Sequence, residues 1–160
     1  MLRRLVLPGA ISLRRATEND SDFAEALFVS TREHFYQLPL APQQIDGLLK
    51  QQYQLQQVSY CANFPAAQLY IIEILNQPIG KLLVDISDSY LRLIDFVLLK
   101  EKRSKGYGSA ILRSLKDLAQ QEKLRVQLSV DQQNIGAKKL YLNLGFSVIE
   151  SSATHDLLCW

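Results

Sequence analysis

Leu98-Leu99-Lys100-Glu101-Lys102-Arg103-Ser104-Lys105-Gly106-Tyr107-Gly108 is the stretch whose reading decides the fold. The run Leu91 to Leu99 leads into it, apolar on both parities, as a central strand covered on both faces requires. Beyond it, Tyr107 to Glu122 carries Ile111, Leu115 and Leu118 at helical spacing. A central strand therefore enters a short basic loop, and two glycines open a helix. Glycines there let backbone N–H groups approach a ligand closely, and a helix N-terminus carries about half a positive charge. Lys100, Lys102, Arg103 and Lys105 add charge to the same rim. Two readings follow: an anion site suited to a pyrophosphate, or a strand–helix turn with solvated lysines. A dinucleotide-binding fingerprint fails, because its third glycine position is Ile111. A P-loop fails for want of a Gly-Lys-Ser/Thr triplet.

Outward from this junction the pattern gives βααβββαβαββ. Ile11 to Arg14 alternates as a short strand, and Thr17 to Asp20 starts a helix with Phe23, Ala24, Leu27 and Phe28 on one stripe. Phe35 to Pro42 reads as a loop. Seven glutamines lie between Gln43 and Gln57, with Ile45, Leu48, Leu49 and Leu55 near helical spacing, so this is a helix with a polar, uncharged face, stopping near Phe64-Pro65. Leu69 to Leu75 and Lys81 to Ile86 are strands joined by a turn at Asn76 to Gly80. After the glycine-opened helix come a strand around Val126, Leu128 and Val130, a helix from Asn134 to Leu144 stopped by Gly145, and strands at Phe146 to Glu150 and His155 to Trp160. The expected class is α/β: a mixed, mostly antiparallel sheet of six or seven strands flanked by about four helices.

The chain has 160 residues, which fits one domain over 1–160 with an N-terminal extension at 1–10. It is 48% hydrophobic with a net charge of +2, which excludes a disordered chain and gives no global drive toward nucleic acid or an anionic membrane. Cys61 and Cys159 match no zinc or redox spacing and read as free thiols in a reducing compartment. No metal site is expected. No apolar run approaches the roughly 18 residues of a membrane span. The first ten residues have the charge of a signal peptide but too short an apolar stretch, and Arg14 and Arg15 follow. The expectation is a soluble, cytoplasmic protein.

A second constellation separates the two readings of the glycine loop. Asn134-Ile135-Gly136-Ala137-Lys138-Lys139-Leu140-Tyr141-Leu142-Asn143-Leu144-Gly145-Phe146 follows the next strand. Alone it is a helix with an Asn cap and a Gly stop. Together with Arg103-x-x-Gly106-x-Gly108, roughly 30 residues earlier, it closely resembles the GNAT (GCN5-related N-acetyltransferase) superfamily. That family carries Gln/Arg-x-x-Gly-x-Gly/Ala after its fourth strand and Asn-x-x-Ala-x-x-Leu-Tyr-x-x-x-Gly-Phe after its fifth. The resemblance covers residues 11 to 160 and is strongest from Leu91 to Phe146.

The resemblance implies a cofactor site for acetyl-CoA, the co-substrate. Ser104, Lys105, Gly106, Tyr107, Gly108 and Ser109 would wrap its pyrophosphate with backbone amides, and Arg103 would pair with phosphate and hold the loop. Phe96, Val97 and Leu98 would offer strand-like hydrogen bonds to the pantetheine arm, and Asn134 and Ala137 would complete its binding. The Leu98 amide would polarise the thioester carbonyl, a donor worth about 3 kcal/mol. Tyr141 would face the sulfur as the acid, since a phenol at about 10 suits a thiolate at about 8.5. An amine that arrives protonated needs a base, and Asp95, inside an apolar strand, is the first candidate; a backbone-bound structural carboxylate is the alternative. The family's second base position falls here on Ser129, which cannot serve; Glu73 and Glu33 are reserves, and His34 and His155 read as surface or rim residues.

Many members have Pro-Glu before the phosphate loop, where this chain has Lys100-Glu101. The acceptor region, Ser30 to Tyr60, offers Tyr36, Tyr53 and Tyr60 for hydrogen bonding but little charge. The implied activity is acetyl transfer to a primary amine, on a small molecule or a peptide, by direct attack in a ternary complex. The alternatives are an acyl-CoA sensor without turnover and an acyltransferase using a longer acyl-CoA. No nucleic-acid or membrane partner is expected, and the chain would act as a monomer or homodimer.

Overall fold

The computed structural model describes residues 7–160; of the expected N-terminal extension, residues 1–6 lie outside the described residues. The chain runs β1 (Ile11–Arg15), α1 (Ser21–Ser30), α2 (Pro42–Asn63), β2 (Gln68–Ile74), β3 (Gln77–Ile86), β4 (Tyr90–Leu98), α3 (Tyr107–Gln121), β5 (Arg125–Asp131), α4 (Ile135–Asn143), β6 (Ser147–Ser151) and β7 (His155–Cys159). Short 3-10 turns precede α1, α2 and α3, so the stretch read as loop before α2 is partly ordered at Glu33–Gln37. The seven strands form one sheet in the order β1-β2-β3-β4-β5-β7-β6. Every neighbouring pair is antiparallel except β4–β5.

Both faces of the sheet are covered, as the two-parity apolar pattern requires. Ile71 and Ile72 are adjacent in β2, so they point to opposite faces, and both are fully buried. On one face Ile72, Leu82, Val84, Leu91 and Leu93 pack with Ile111, Leu112, Leu115 and Leu118 of α3, and Tyr141 and Leu144 of α4 join that cluster. Ala24, Leu27 and Phe28 of α1 and Ile45 and Leu49 of α2 are buried too. They are the inward stripes of the two helices that precede the sheet hairpins. Among the described residues, no helix is long and apolar enough to cross a membrane.

The β2–β3 turn differs from the expected one. It is formed by Leu75 and Asn76, both left-handed (φ 51° and 62°), the geometry of a two-residue hairpin loop. Gln77, Pro78 and Gly80 already belong to β3. A bulge at Ile79, skipped where Ile72 pairs Gly80 and Glu73 pairs Pro78, accommodates a proline that has no N–H for the ladder. Gly80 is required by close approach: a Cβ there would collide with the Val97 carbonyl oxygen and stand 2.7 Å from Leu98 Cδ2.

Two irregularities position the site. The parallel pairing of β4 with β5 lasts only from Tyr90↔Arg125 to Leu93↔Leu128, after which the strands part. At that point β4 carries a bulge: Val84 pairs with Leu93 and Leu83 with Asp95, leaving Ile94 as the extra residue. In strict alternation Asp95 would share the buried face of Leu91 and Leu93. The bulge reverses the parity and turns Asp95 to the opposite face, beside Leu83.

Candidate active site

The glycine loop ends in an uncapped helix. Gly106 adopts a left-handed backbone (φ 83°) at the N-cap of α3, and no side chain accepts from the first-turn N–H groups. Helix α4 differs: Asn134 Oδ1 accepts from the Ala137 N–H at 3.2 Å. The α3 N-terminus thus keeps its orphan donors, the amides of Tyr107, Gly108 and Ser109, for an outside anion. A Cβ on Gly106 would meet nothing within 4 Å, so the space in front of the helix is open. Ser104 is also left-handed (φ 56°), two residues before Gly106. Arg103 Nε donates to the Leu98 carbonyl at 2.9 Å and ties the loop to the end of β4. Lys100 is paired at 2.7 Å with Glu33 across the rim.

Where β4 and β5 part, they leave a slot of about 150 Å³ lined by Ile94, Asp95 and Phe96 on one side and Ser129, Asn134, Ala137 and Tyr141 on the other. The Leu99 N–H donates to Ile79 on β3. By antiparallel alternation the backbone of Val97, opposite Lys81, also faces β3, while Phe96 and Leu98 turn their N–H and C=O groups toward the gap. Of the three strand residues named for a cofactor arm, Phe96 and Leu98 border the gap, the Leu98 carbonyl accepting from Arg103. Val97 turns its backbone groups to the β3 ladder, opposite Lys81.

Tyr141 is buried, its ring edge-on to Phe146 at 5.8 Å. Burial, helped by the negative charge of Asp95, pushes its phenol up to about 12. Among the described residues its hydroxyl has no hydrogen-bond partner, although it lines the slot. Helix α4 is anchored from below: Lys138 and the buried Asp156 form an ion pair, and Ser151 and Gln132 also donate to that carboxylate.

On the other side of Asp95 lies a larger cavity of about 340 Å³. Its walls are Ala24 of α1, Tyr53, Gln57, Tyr60 and Cys61 of α2, Phe64, Pro65 and Ala67 beyond it, Leu69 of β2, Lys81 and Leu83 of β3, and Asp95. Asp95 lines both spaces. Lys81, only 3% exposed, pairs with it at 3.1 Å. Sequence reading passed over Lys81 as the start of a strand. The signal available was a charge followed by the apolar run Leu82 to Val84, the same kind of signal that marks Asp95. Burial raises the phenols of Tyr53 and Tyr60, so both stay neutral hydrogen-bonding groups.

Several expected residues fall elsewhere. Tyr36 is on the outside, its hydroxyl bonded to Asp46. Glu73, the reserve base, belongs to a network with Arg14 and Asp20 that ties β1 to β2. Glu33 is held by Lys100 at the rim. His155 is exposed and bonded to Thr154, the surface position expected of it.

A sequence profile described as acetyltransferase (GNAT) family matches residues 25–146, and the chain belongs to that family. The fold is shared with solved structures at low identity. One is the PaiA N-acetyltransferase from Thermoplasma acidophilum in complex with coenzyme A (16% identity, TM-score 0.68, 94% of this chain and 98% of that one). A second is an acetyltransferase from Thermus thermophilus (15%, 0.67, 97% and 99%). A third is a GNAT family acetyltransferase from Elizabethkingia anophelis with acetyl-CoA bound (13%, 0.60, 94% and 97%). Among curated proteins, none matches the chain.

Proposed function

We propose that this protein is an acetyl-CoA-dependent N-acetyltransferase that acts as one domain and acetylates a primary amine directly, with both substrates bound. The observation that carries the reading is the position of Asp95, in the wall between the slot and the 340 Å³ cavity. A carboxylate in that wall borders both the space for an amine in the cavity and the slot proposed for an acyl thioester.

The residues fit acetyl-CoA, which supplies the activated acetyl thioester. The uncapped amides of Tyr107, Gly108 and Ser109, with Arg103 and Lys105, suit its phosphates. Phe96 presents unpaired strand groups and Leu98 a free N–H to its arm, the Leu98 carbonyl being held by Arg103, and Asn134 keeps its NH2 donors while its oxygen caps α4. The Leu98 N–H donates to the thioester carbonyl oxygen as negative charge gathers there. Asp95 orients the amine and takes the proton that its nitrogen loses, directly or through water, as the N–C bond forms. Tyr141 donates to the sulfur as the C–S bond breaks, and that sulfur ends as the thiol.

The test is thiol release from acetyl-CoA across amines, polyamines, amino acids and peptides. No release with any acceptor refutes the activity. Asp95→Asn locates the base: its deficit in kcat/KM should be greatest at low pH, where the amine is protonated, and shrink toward the amine's own pKa. An equal deficit at every pH, beside a lowered melting temperature, would make Asp95 structural instead.

A further inference from the structure

Lys81 is the least expected group in the larger cavity. Its ammonium carries three N–H donors, yet among the described residues Asp95 is its one ionic partner, and the Tyr53 ring lies 5.7 Å away. Buried charges are ordinarily paired and fully hydrogen-bonded. The remaining lining residues give it little: apart from Tyr53, Gln57, Tyr60 and Cys61 they are aliphatic or aromatic, and among the described residues Lys81 and Asp95 are the only charged members. Arg32, half-buried over the Phe28 ring, adds a second positive charge close enough to Asp95 to feel it.

This arrangement disfavours a plain cationic acceptor. A polyamine or a lysine side chain would bring its ammonium up to Asp95 and face that of Lys81 at close range in an apolar space. An acceptor that also carries a carboxylate next to its amine meets the pair differently. Its ammonium faces Asp95, its carboxylate faces Lys81, and charges alternate around the group of four. The volume, about 340 Å³, lies at the small-ligand end of binding pockets. Phe64, Pro65, Leu69 and Leu83 offer an apolar wall for a side chain.

We infer that the acceptor is a free α-amino acid with an apolar or aromatic side chain, and that Lys81 is the residue that selects for its carboxylate. This rests on the acetyltransferase reading of the site. It goes beyond that reading by excluding polyamines and peptide N-termini, which lack the adjacent carboxylate.

The wild-type protein alone tests it. Turnover of acetyl-CoA is measured with L-leucine, L-leucinamide and 3-methylbutylamine, and with L-phenylalanine, its amide and 2-phenylethylamine. A charge-assisted contact to Lys81 should favour the amino acid over amide and amine by about 10- to 100-fold in kcat/KM. Equal or better use of the amide or the amine overturns the inference. Lys81→Met, checked for folding by its melting curve, should collapse that ratio toward one, mainly through KM. A ratio kept in a folded variant overturns the role of Lys81. A second readout separates this inference from the activity: the melting temperature with coenzyme A and each acceptor present. If no acceptor is turned over but the amino acids alone stabilise the protein, and do so only with Lys81, the ligand class stands and the acetyltransferase reading falls. If the amino acids are neither turned over nor stabilising, the inference falls.

Discussion

Tyr141→Phe isolates one hydroxyl. The ring stays, so its edge contact with Phe146 survives, and the hydroxyl gives up no hydrogen bond to the described part of the protein. Stability should therefore change little. The cost falls on catalysis. With the phenol at about 12 and a thiolate like that of cysteine at about 8.5, full proton transfer in the free site is uphill by on the order of 5 kcal/mol. Tyr141 then acts as a hydrogen-bond donor to sulfur while charge develops, before the proton moves across. A hydrogen bond to a charged group is worth about 1.5–3 kcal/mol, so kcat should fall by about 10- to 150-fold. The measurements are kcat at saturating acetyl-CoA, acetyl-CoA affinity by calorimetry, and the melting temperature. Affinity and melting should hold while kcat drops. The wild-type rate should also show no alkaline loss from this group until the pH nears 12, because burial keeps the phenol protonated below that. A kcat retained within about threefold, well short of a lost charged hydrogen bond, would refute the role. So would a melting temperature that falls while activity per folded molecule is unchanged.

Gly106→Glu sets a carboxylate in the open space before α3; the left-handed backbone adds strain of about 1–2 kcal/mol, and calorimetry should find acetyl-CoA affinity lost in a still-folded protein. Gly108→Ala places its Cβ at ordinary contact, 3.7 Å from Leu140 and 3.8 Å from Leu98 and Phe96, so thermal melting should rise, by up to about 1 kcal/mol of stability. Asp156, held down to about 2 by Lys138, Ser151 and Gln132, stabilises the fold fully above its unfolded value near 3.9, and that contribution fades as pH falls toward 2. Asp156→Asn should lower the melting temperature at neutral pH and flatten the acid limb of stability.

The order of elements was legible because each is announced by a local rule. Helix α2 stops at Asn63, where Phe64-Pro65 forbids continuation, and α4 stops before a left-handed Gly145. The glycine loop was legible for a similar reason: Gly106 sits where only a residue free of Cβ strain is comfortable. The β2–β3 turn misled because Asn76-Gln77-Pro78 carries strong turn chemistry, while the bulge that keeps Pro78 inside β3 depends on its pairing with a different strand. Tyr36 misled in the opposite way: a tyrosine in the acceptor region has the right chemistry, but the turn that carries it faces outward to Asp46.

The wall between slot and cavity was only half legible, and the reason is geometric. Asp95 stood out as a charge in an apolar strand, but its direction depends on Ile94 being skipped by the β3 ladder. Read with unbroken alternation, the carboxylate would sit in the core with Leu91 and Leu93, where a charge is untenable without a partner. Read with the bulge, it faces the helices and meets Lys81, whose own strand position is diagonal to it: Lys81 pairs with Val97 and Leu83 with Asp95. Neither charge explains the other until β3 and β4 are put in register, and the register is set by the bulge. The same bulge lies where β4 leaves β5 and the slot begins. One inserted residue thus opens the slot, aims the carboxylate and brings a buried ammonium beside it.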